Sequence, residues 1–337
     1  GVYPKFALKA SGAYITCEDG QNYLDFMCGL GPVILGYNHE TTNNAIKQQL
    51  DKGIIFSLPT YLEQELAQLI VDVVPCAEQV RFAKNGTDAD LAAVRIARSY
   101  TGRDHIAKCG YHDPDFLEGV KKLCNEHNAF LIFDEVVTGF RWDLGGAQKY
   151  YNVTPDLACF GKAMANGMPI SAIAGKAEFM KELDHAFFSM TFGGECLSLA
   201  ASIATIKELQ NRDYSHIWKL GSLFESGMSD LATKHDLDIV FAGSGPRHNL
   251  TFSDNYKDSS GMRDLFYQEM VKQQILFSNV LYINFAHTEN DIIKTIESAD
   301  NAFKIVKENI SSIDKVLEGK RSVAVFRKCK TYTYRRQ

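Results

Sequence analysis

A chain of 337 residues is long enough to bury the core of one large or two medium domains, and 45% hydrophobic with 23% charged residues is the composition of a globular protein rather than a disordered or membrane one. A formal charge of −5 supplies no overall positive field for a nucleic-acid backbone. The basic run "FRKCKTYTYRR" near the C-terminus reads as a solvated tail, because no nucleic-acid fold signature accompanies it.

In chain order, "GAYITCEDGQNYLDFMCG" predicts two short strands around the turn signal Asp19-Gly20, with Tyr14, Ile15, Tyr23, Leu24 and Phe26 as apolar positions. "NNAIKQQLDKG" and "YLEQELAQLIVDVVP" predict helices, the second carrying Leu62, Leu66, Leu69, Ile70 and Val73 at helical spacing and stopped by Pro75. Strands and helices then alternate: "QVRFA", helix "ADLAAVRIARSYTG", helix "FLEGVKKLCNEHN", strand "AFLIFDEV", strand "DLACFGK", strand "ISAIAGK", helix "AEFMKEL". Apolar runs without polar alternation predict a mostly parallel central sheet flanked by helices, with its chemistry at strand C-terminal ends. A helical region from Leu197 to about His235 follows, then "DLDIVFAG", "NLTFSD", helix "GMRDLFYQEMVKQQ", "VLYINFA" and a final helix from Thr288 to about Leu317. This predicts an N-terminal segment 1–55 belonging to a small domain, a large domain 56–235, and a C-terminal α+β unit 236–337.

The eight cysteines are scattered without a CxxC pair, so no zinc or iron–sulfur site is expected. With neither a secretory signal nor a run of 18 apolar residues, the chain reads as cytoplasmic, with reduced thiols and no membrane span.

Three strand ends carry functional groups. In "VRFAKNGTDADLAAVRIARSY", Gly86 allows close backbone approach, Thr87 is a favourable N-cap with Asp90 as a weaker capping-box partner, and the helix N-terminus points its free N–H groups at the same spot; an anion site and an ordinary cap both fit. In "AFLIFDEVVTGFR" an apolar strand ends in Asp134 and Glu135, two carboxylates at the mouth of a buried strand, where a charge is costly unless it meets a cation. In "DLACFGK" the strand hands over to Lys162 among small residues, where little water and a depressed pKa are expected; a structural ion pair with Asp134 is the alternative. Together the three are what pyridoxal 5'-phosphate requires: a phosphate anchor, a partner for the pyridinium nitrogen, and an amine for the Schiff base. A nicotinamide dehydrogenase is disfavoured, since no GxGxxG follows a strand and Lys162 would have no task.

The chain resembles the class III aminotransferases of fold type I, and within them the glutamate-1-semialdehyde aminomutase-like branch. The resemblance rests on "GPVILGYNHE", "VRFAKNGTDADLAAVRIARSYTGRDHI", "GYHD", "LIFDEVVTGFR", "GGAQKYYNVTPDLACFGKAMANGMPISAIAGK", "FFSMTFGGECLSLAA" and "INFAHTENDI", in the family's order. It implies Lys162 as the Schiff-base lysine, Asp134 as the pyridinium partner, and Gly86 and Thr87 as phosphate ligands. It also implies Tyr111 and Val136 against the two ring faces, and Thr191 reaching the phosphate of a neighbouring subunit, hence a homodimer with shared sites. Glu135, Glu195 and Arg247 are the substrate candidates, although a structural role suits Glu135 and a surface turn suits Arg247. His112 reads as a packing histidine.

Several departures bear on function. Asn85 and Asp88 replace the residues flanking the family's Gly-Thr, and Glu195 stands where Asn is expected. Asp113 runs straight into Pro114, where the resemblance implies several dozen residues including a strand and a mobile loop. Too little chain is left there for a crossover, which favours residues missing from the sequence over a chain that has lost them. A leader before Gly1, where relatives often carry a carboxylate-binding arginine, is also not seen. The residues lean toward intermolecular amino transfer between an amino-acid donor and a keto sugar, semialdehyde or keto acid. An aminomutase is the runner-up, and a non-catalytic dimeric relative is a further alternative.

Overall fold

The computed structural model describes residues 3–110 and 114–322. The chain begins with β1 (Ala7–Ser11), β2 (Tyr14–Cys17) and β3 (Asn22–Asp25), each antiparallel to the next. The β2–β3 turn is the one read from Asp19-Gly20: Gly20 takes φ +77°, and the Asp19 carboxylate accepts from Gln21 N at 3.0 Å.

Two helices follow, α1 (Glu40–Leu50) and α2 (Tyr61–Val73). Thr60 and Glu63 form the capping box of α2, which buries Leu66 and Ile70 and ends one residue before the position that Pro75 forces out of helical geometry.

The central sheet uses β4 (Gln79–Ala83), β5 (Ile132–Glu135), β6 (Leu157–Phe160) and β7 (Ser171–Gly175), in the order β4-β7-β6-β5. Helices α3 (Gly86–Thr101), α4 (Pro114–Glu126), α5 (Gly146–Tyr150) and α6 (Ala177–Met180) intervene or follow. The sheet is mixed, not mostly parallel: β5 and β6 are parallel, whereas β7 is antiparallel to both β6 and β4. The physical reason lies in the connections. Residues 136–156 give β5 and β6 a crossover, but 161–170 are too few to return β7 in the same sense. Every residue of β6 and β7 is buried, so their apolar runs report two covered faces rather than strand direction.

The helical region read as continuous is two helices, α7 (Cys196–Gln210) and α8 (Ser215–Lys234). After them come β8 (Ile239–Ser244), β9 (Arg247–Phe252), α9 (Ser259–Lys272), β10 (Ile275–Leu276), β11 (Val280–Tyr282), α10 (Glu289–Glu308) and α11 (Ile313–Val316). The expected single last helix is therefore interrupted after Glu308. Strands β11, β9 and β8 form an antiparallel sheet, while β10 pairs in parallel with β3 and joins the beginning of the chain to its C-terminal part. Phe26 sits at that junction, stacked on Phe224 and His287 with ring centroids 5.2 and 4.7 Å away. No helix among the described residues is long and apolar enough to cross a membrane.

Candidate active site

Lys162 follows Gly161 at the end of β6 and opens a short 3-10 turn, Lys162–Ala165. Its φ of 41° is left-handed, a conformation that costs a non-glycine residue on the order of 1 kcal/mol or more and persists only where the surroundings enforce it. Ser202 of α7 holds the turn by donating to Met164 O at 2.9 Å. Asn166, also left-handed, closes it: its Oδ1 accepts from Ile34 N and Leu35 N at 3.0 and 2.9 Å, and its Nδ2 donates to Gly36 O at 3.0 Å. The stretch "GPVILGYNHE" is thus docked on the turn that presents Lys162. Burial lowers the lysine's pKa, Arg141 and Arg247 add to the lowering, and Asp134 and Asp90 oppose it.

The two carboxylates at the end of β5 point to opposite faces, as successive strand residues must. The burial expected for Asp134 belongs to its neighbour. Asp134 is exposed and accepts from Val136 N at 3.1 Å, whereas Glu135 is 1% exposed. Glu135 accepts from Thr138 Oγ1 at 2.6 Å, Ala147 N at 2.7 Å and Gln148 N at 3.0 Å. Burial raises its pKa and these bonds oppose the rise. Its carboxylate is engaged inside the protein, bracing the β5–α5 connection.

The third strand end is the N-terminus of α3. Its N-cap is Asn85 and not Thr87: the Asn85 side chain accepts from Asp88 N at 3.1 Å, and Asp88 returns the bond by accepting from Asn85 N at 3.1 Å. Asp88 therefore takes the capping-box place expected for Asp90. Residue 85 leaves the helix in extended geometry, and its short amide side chain suffices to cap. Thr87 is left exposed in the first turn, where backbone N–H groups have no intrahelical acceptor. Asp90, one turn further, faces Cys159 and Asp134; its pKa is raised by burial and then by the Asp134 charge.

Val136 draws the three ends together. A Cβ built on Gly86 would lie 2.8 and 2.9 Å from the Val136 methyls, and one on Gly161 would lie 3.6 Å from Val136 Cγ1. Ser171 at the start of β7 donates to Asn85 O at 2.6 Å and fixes the loop before α3.

The remaining candidates divide. Tyr111 and His112, and the junction of Asp113 with Pro114, lie outside the described residues. Thr191 is exposed in the turn before α7. Arg247, half-buried at the start of β9, is among the charges acting on Lys162, and it makes no ion pair with another described residue. Glu195 is the N-cap of α7 and pairs with Lys84 at 2.8 Å, so its carboxylate is engaged within the chain rather than free for a substrate.

Sequence reasoning overlooked Lys84, Asp90 as a neighbour of Asp134, Asn166 and Arg141. Asn166-Gly167 is a turn signal that pointed to the left-handed residue. Arg141, fully buried, donates to Ile283 O and Gly31 O, both at 2.7 Å, and lies 5.1 Å from the Tyr282 ring centre. Nothing local in "TGFR" announces that burial. Among the described residues no group of three or more His, Cys, Asp or Glu side chains could hold a metal ion.

The profile of a family described as "Aminotransferase class-III" matches residues 2–113 and 109–241. The chain is 31% identical to a glutamate-1-semialdehyde 2,1-aminomutase of Desulforamulus reducens, covering 90% of this chain and 91% of that protein. It is 30% identical to a 3-aminobutyryl-CoA aminotransferase of Cloacimonas acidaminovorans, covering 94% and 91%. The first of these alignments spans 394 positions, more than the chain's 337 residues, so dozens of the relative's positions have no counterpart here. Among solved structures, the FumI protein of Sphingopyxis sp. MTA144, in its PLP internal aldimine form, superposes with a TM-score of 0.84 at 25% identity, covering 92% of this chain and 91% of that one.

Proposed function

The chain belongs to the class III aminotransferases, pyridoxal-phosphate-dependent enzymes of fold type I, and on that premise we propose that it moves an amino group from an amino-acid donor to a separate carbonyl acceptor, with Lys162 as the catalytic amine. The observation that supports this reading is the meeting of Val136 with both Gly86 and Gly161, which brings the start of α3, the end of β5 and the end of β6 together.

The residues suit the cofactor. The close approach of Gly86 to Val136 leaves no room for a Cβ, so the backbone N–H groups of Gly86 and Thr87 are free to approach a phosphate at the positive end of α3. The Asp134 carboxylate would hold the pyridinium proton, with Val136 against one ring face and Tyr111 against the other. When bound, pyridoxal phosphate supplies an aldehyde for amines and an electron sink for the substrate's α-carbon.

The protein's own part is to carry protons and to orient. Lys162, with its pKa lowered by burial, is uncharged in a larger fraction of molecules than an ordinary lysine; it takes the proton from the donor's α-carbon and, in the second half of the reaction, delivers one to the acceptor's carbonyl carbon. Arg247 makes no ion pair with another described residue and its charge acts on Lys162, so it is the anchor we assign to an acidic group of donor or acceptor. A keto acid, a semialdehyde or a keto sugar suits the acceptor role. The similarity to an aminomutase supports a second reading, in which one substrate stays bound while its amino group changes carbon.

A homodimer with shared sites is part of the proposal. Ile54, Ile55, Phe56, Leu58 and Tyr61 are exposed, as are Phe187 and Phe192 on either side of Thr191, and Cys196 N donates to Ile54 O at 2.7 Å to join the two stretches.

The test is absorbance with pyridoxal phosphate, before and after borohydride, followed by peptide mapping and a screen of amine donors. A reduced pyridoxyl group on Lys162 and release of a keto product from the donor alone are expected. An adduct on another residue, or none, would overturn the assignment of Lys162. Turnover of a single substrate with no released keto product would select the mutase.

A further inference from the structure

Lys84 takes part in the caps of two helices. Its backbone N–H donates to Asp88 Oδ2 at 3.1 Å, inside the capping box of α3, while its ammonium reaches Glu195 Oε2 at 2.8 Å and Ser198 Oγ at 3.0 Å in the first turn of α7. Glu195 in turn caps α7, accepting from Leu197 N at 2.8 Å and Ser198 N at 3.2 Å. The pair is largely withdrawn from water, with side-chain exposures of 25% and 11%, unlike the surface pair Lys207–Glu65 at 54% and 44%. The turn between them is tight: a Cβ on Gly193 would lie 2.9 Å from Phe82 O, so the segment bearing Thr191 is pressed against the end of β4.

The departure at position 195 thereby acquires a cause. An asparagine would cap α7 without a charge, but a glutamate there needs a cation, and Lys84 supplies it from the residue preceding the Asn85-Gly86-Thr87 loop. Burial alone would push the Glu195 carboxyl up; the bonds from Lys84, Ser198 and Leu197 outweigh it and hold the group below its ordinary value.

We infer that Lys84 and Glu195 are a positioning pair that fixes the phosphate loop of α3 relative to the turn carrying Thr191, and so sets how tightly the phosphate group of the cofactor is held. This rests on the assignment of Gly86 and Thr87 as phosphate ligands. Removing the cation would leave the Glu195 carboxylate uncompensated beside an anion site and free the loop to shift. The loss should concern the phosphate alone, because the bonds of the pair run to the caps of α3 and α7.

The experiment titrates wild type, Lys84→Met, Lys84→Arg and the double variant Lys84→Met/Glu195→Asn with pyridoxal phosphate and, separately, with pyridoxal, which lacks the phosphate. Lys84→Met should bind pyridoxal phosphate about tenfold more weakly and pyridoxal as well as wild type does. Lys84→Arg should stay near wild type, and the double variant should recover to within about threefold, since both charges are gone and Asn still caps. Equal weakening toward both ligands would mark a general structural defect, and no weakening toward either would leave the pair as a brace between helices; both results overturn the inference. Phosphate-selective loss in Lys84→Met with no wild-type adduct on Lys162 would sink the lysine assignment while sustaining this one. A wild type that binds both ligands equally would sink the phosphate-ligand assignment and this inference with it.

Discussion

Lys162 carries two costs in the folded chain, a left-handed backbone and an ammonium partly removed from water. Because burial lowers its pKa, the charged form is tolerated less well in the folded than in the unfolded chain. Between the two pKa values the unfolded state binds more protons, so this group's contribution makes stability rise with pH through the folded pKa and level off above the ordinary lysine value of about 10.4. Lys162→Met should therefore raise the melting temperature of the cofactor-free protein at pH 7, and the advantage should shrink as the pH approaches 10. Thermal denaturation across that range measures it, and an equal or lower melting temperature at pH 7 would refute the argument. The lysine was legible because a strand end and small residues surround it, with no other cation between Cys159 and Ser171. The fate of the adjacent carboxylates was less so. Strand alternation already required Asp134 and Glu135 to part, but which of them turned inward depended on Ala147 and Gln148, whose N–H groups arrive from a separate helix.

At the scale of elements, the N-terminus of α3 depends on Gly86 more than on its cap. The Val136 methyls stand where a Gly86 Cβ would go, and a β-branched side chain has few rotamers with which to yield. Gly86→Ala should displace the loop at a cost of about 1–3 kcal/mol, read as a roughly 5- to 150-fold weaker affinity for pyridoxal phosphate. Val136→Ala in the same chain should restore most of it, because the obstacle is gone. A binding titration of the single and double variants decides, and an unimpaired single variant would mean that the phosphate is held elsewhere. The helix itself was evident from its period, whereas the capping residue was misread because Asn85, Thr87, Asp88 and Asp90 all favour such positions and only backbone geometry separates them. Sheet direction was misread for a related reason. Burial on both faces makes the same apolar runs in β6 and β7 whichever way the strands run, and the short 161–170 connection was the overlooked sign that the chain turns back.

Across the whole molecule, long-range contacts tie regions that no local pattern connects. Arg141 binds carbonyls of Gly31 and Ile283, and β3 pairs with β10, so the beginning of the chain is tied to its C-terminal part and, through Arg141, to the segment that follows β5. These ties are invisible to periodicity, since each depends on residues more than a hundred positions apart. The apolar side chains left outside are the surface that the proposed second copy would cover. Leu58 is 77% and Phe187 81% exposed, on the two stretches joined by Cys196 and Ile54. Burying such side chains in an interface stabilises by about 1.5–3 kcal/mol each, enough for a few of them to govern association. A charge in their midst would have to be desolvated without a partner. Leu58→Glu and Phe187→Glu should each convert a dimer into single chains by light scattering at micromolar concentration, with helical content unchanged by circular dichroism. Both variants should also bind pyridoxal phosphate more weakly, because Thr191 would no longer reach the neighbouring phosphate. Dissociation with undiminished affinity would separate the two claims: the surface would remain the dimer interface, and Thr191 would lose its place in the shared site.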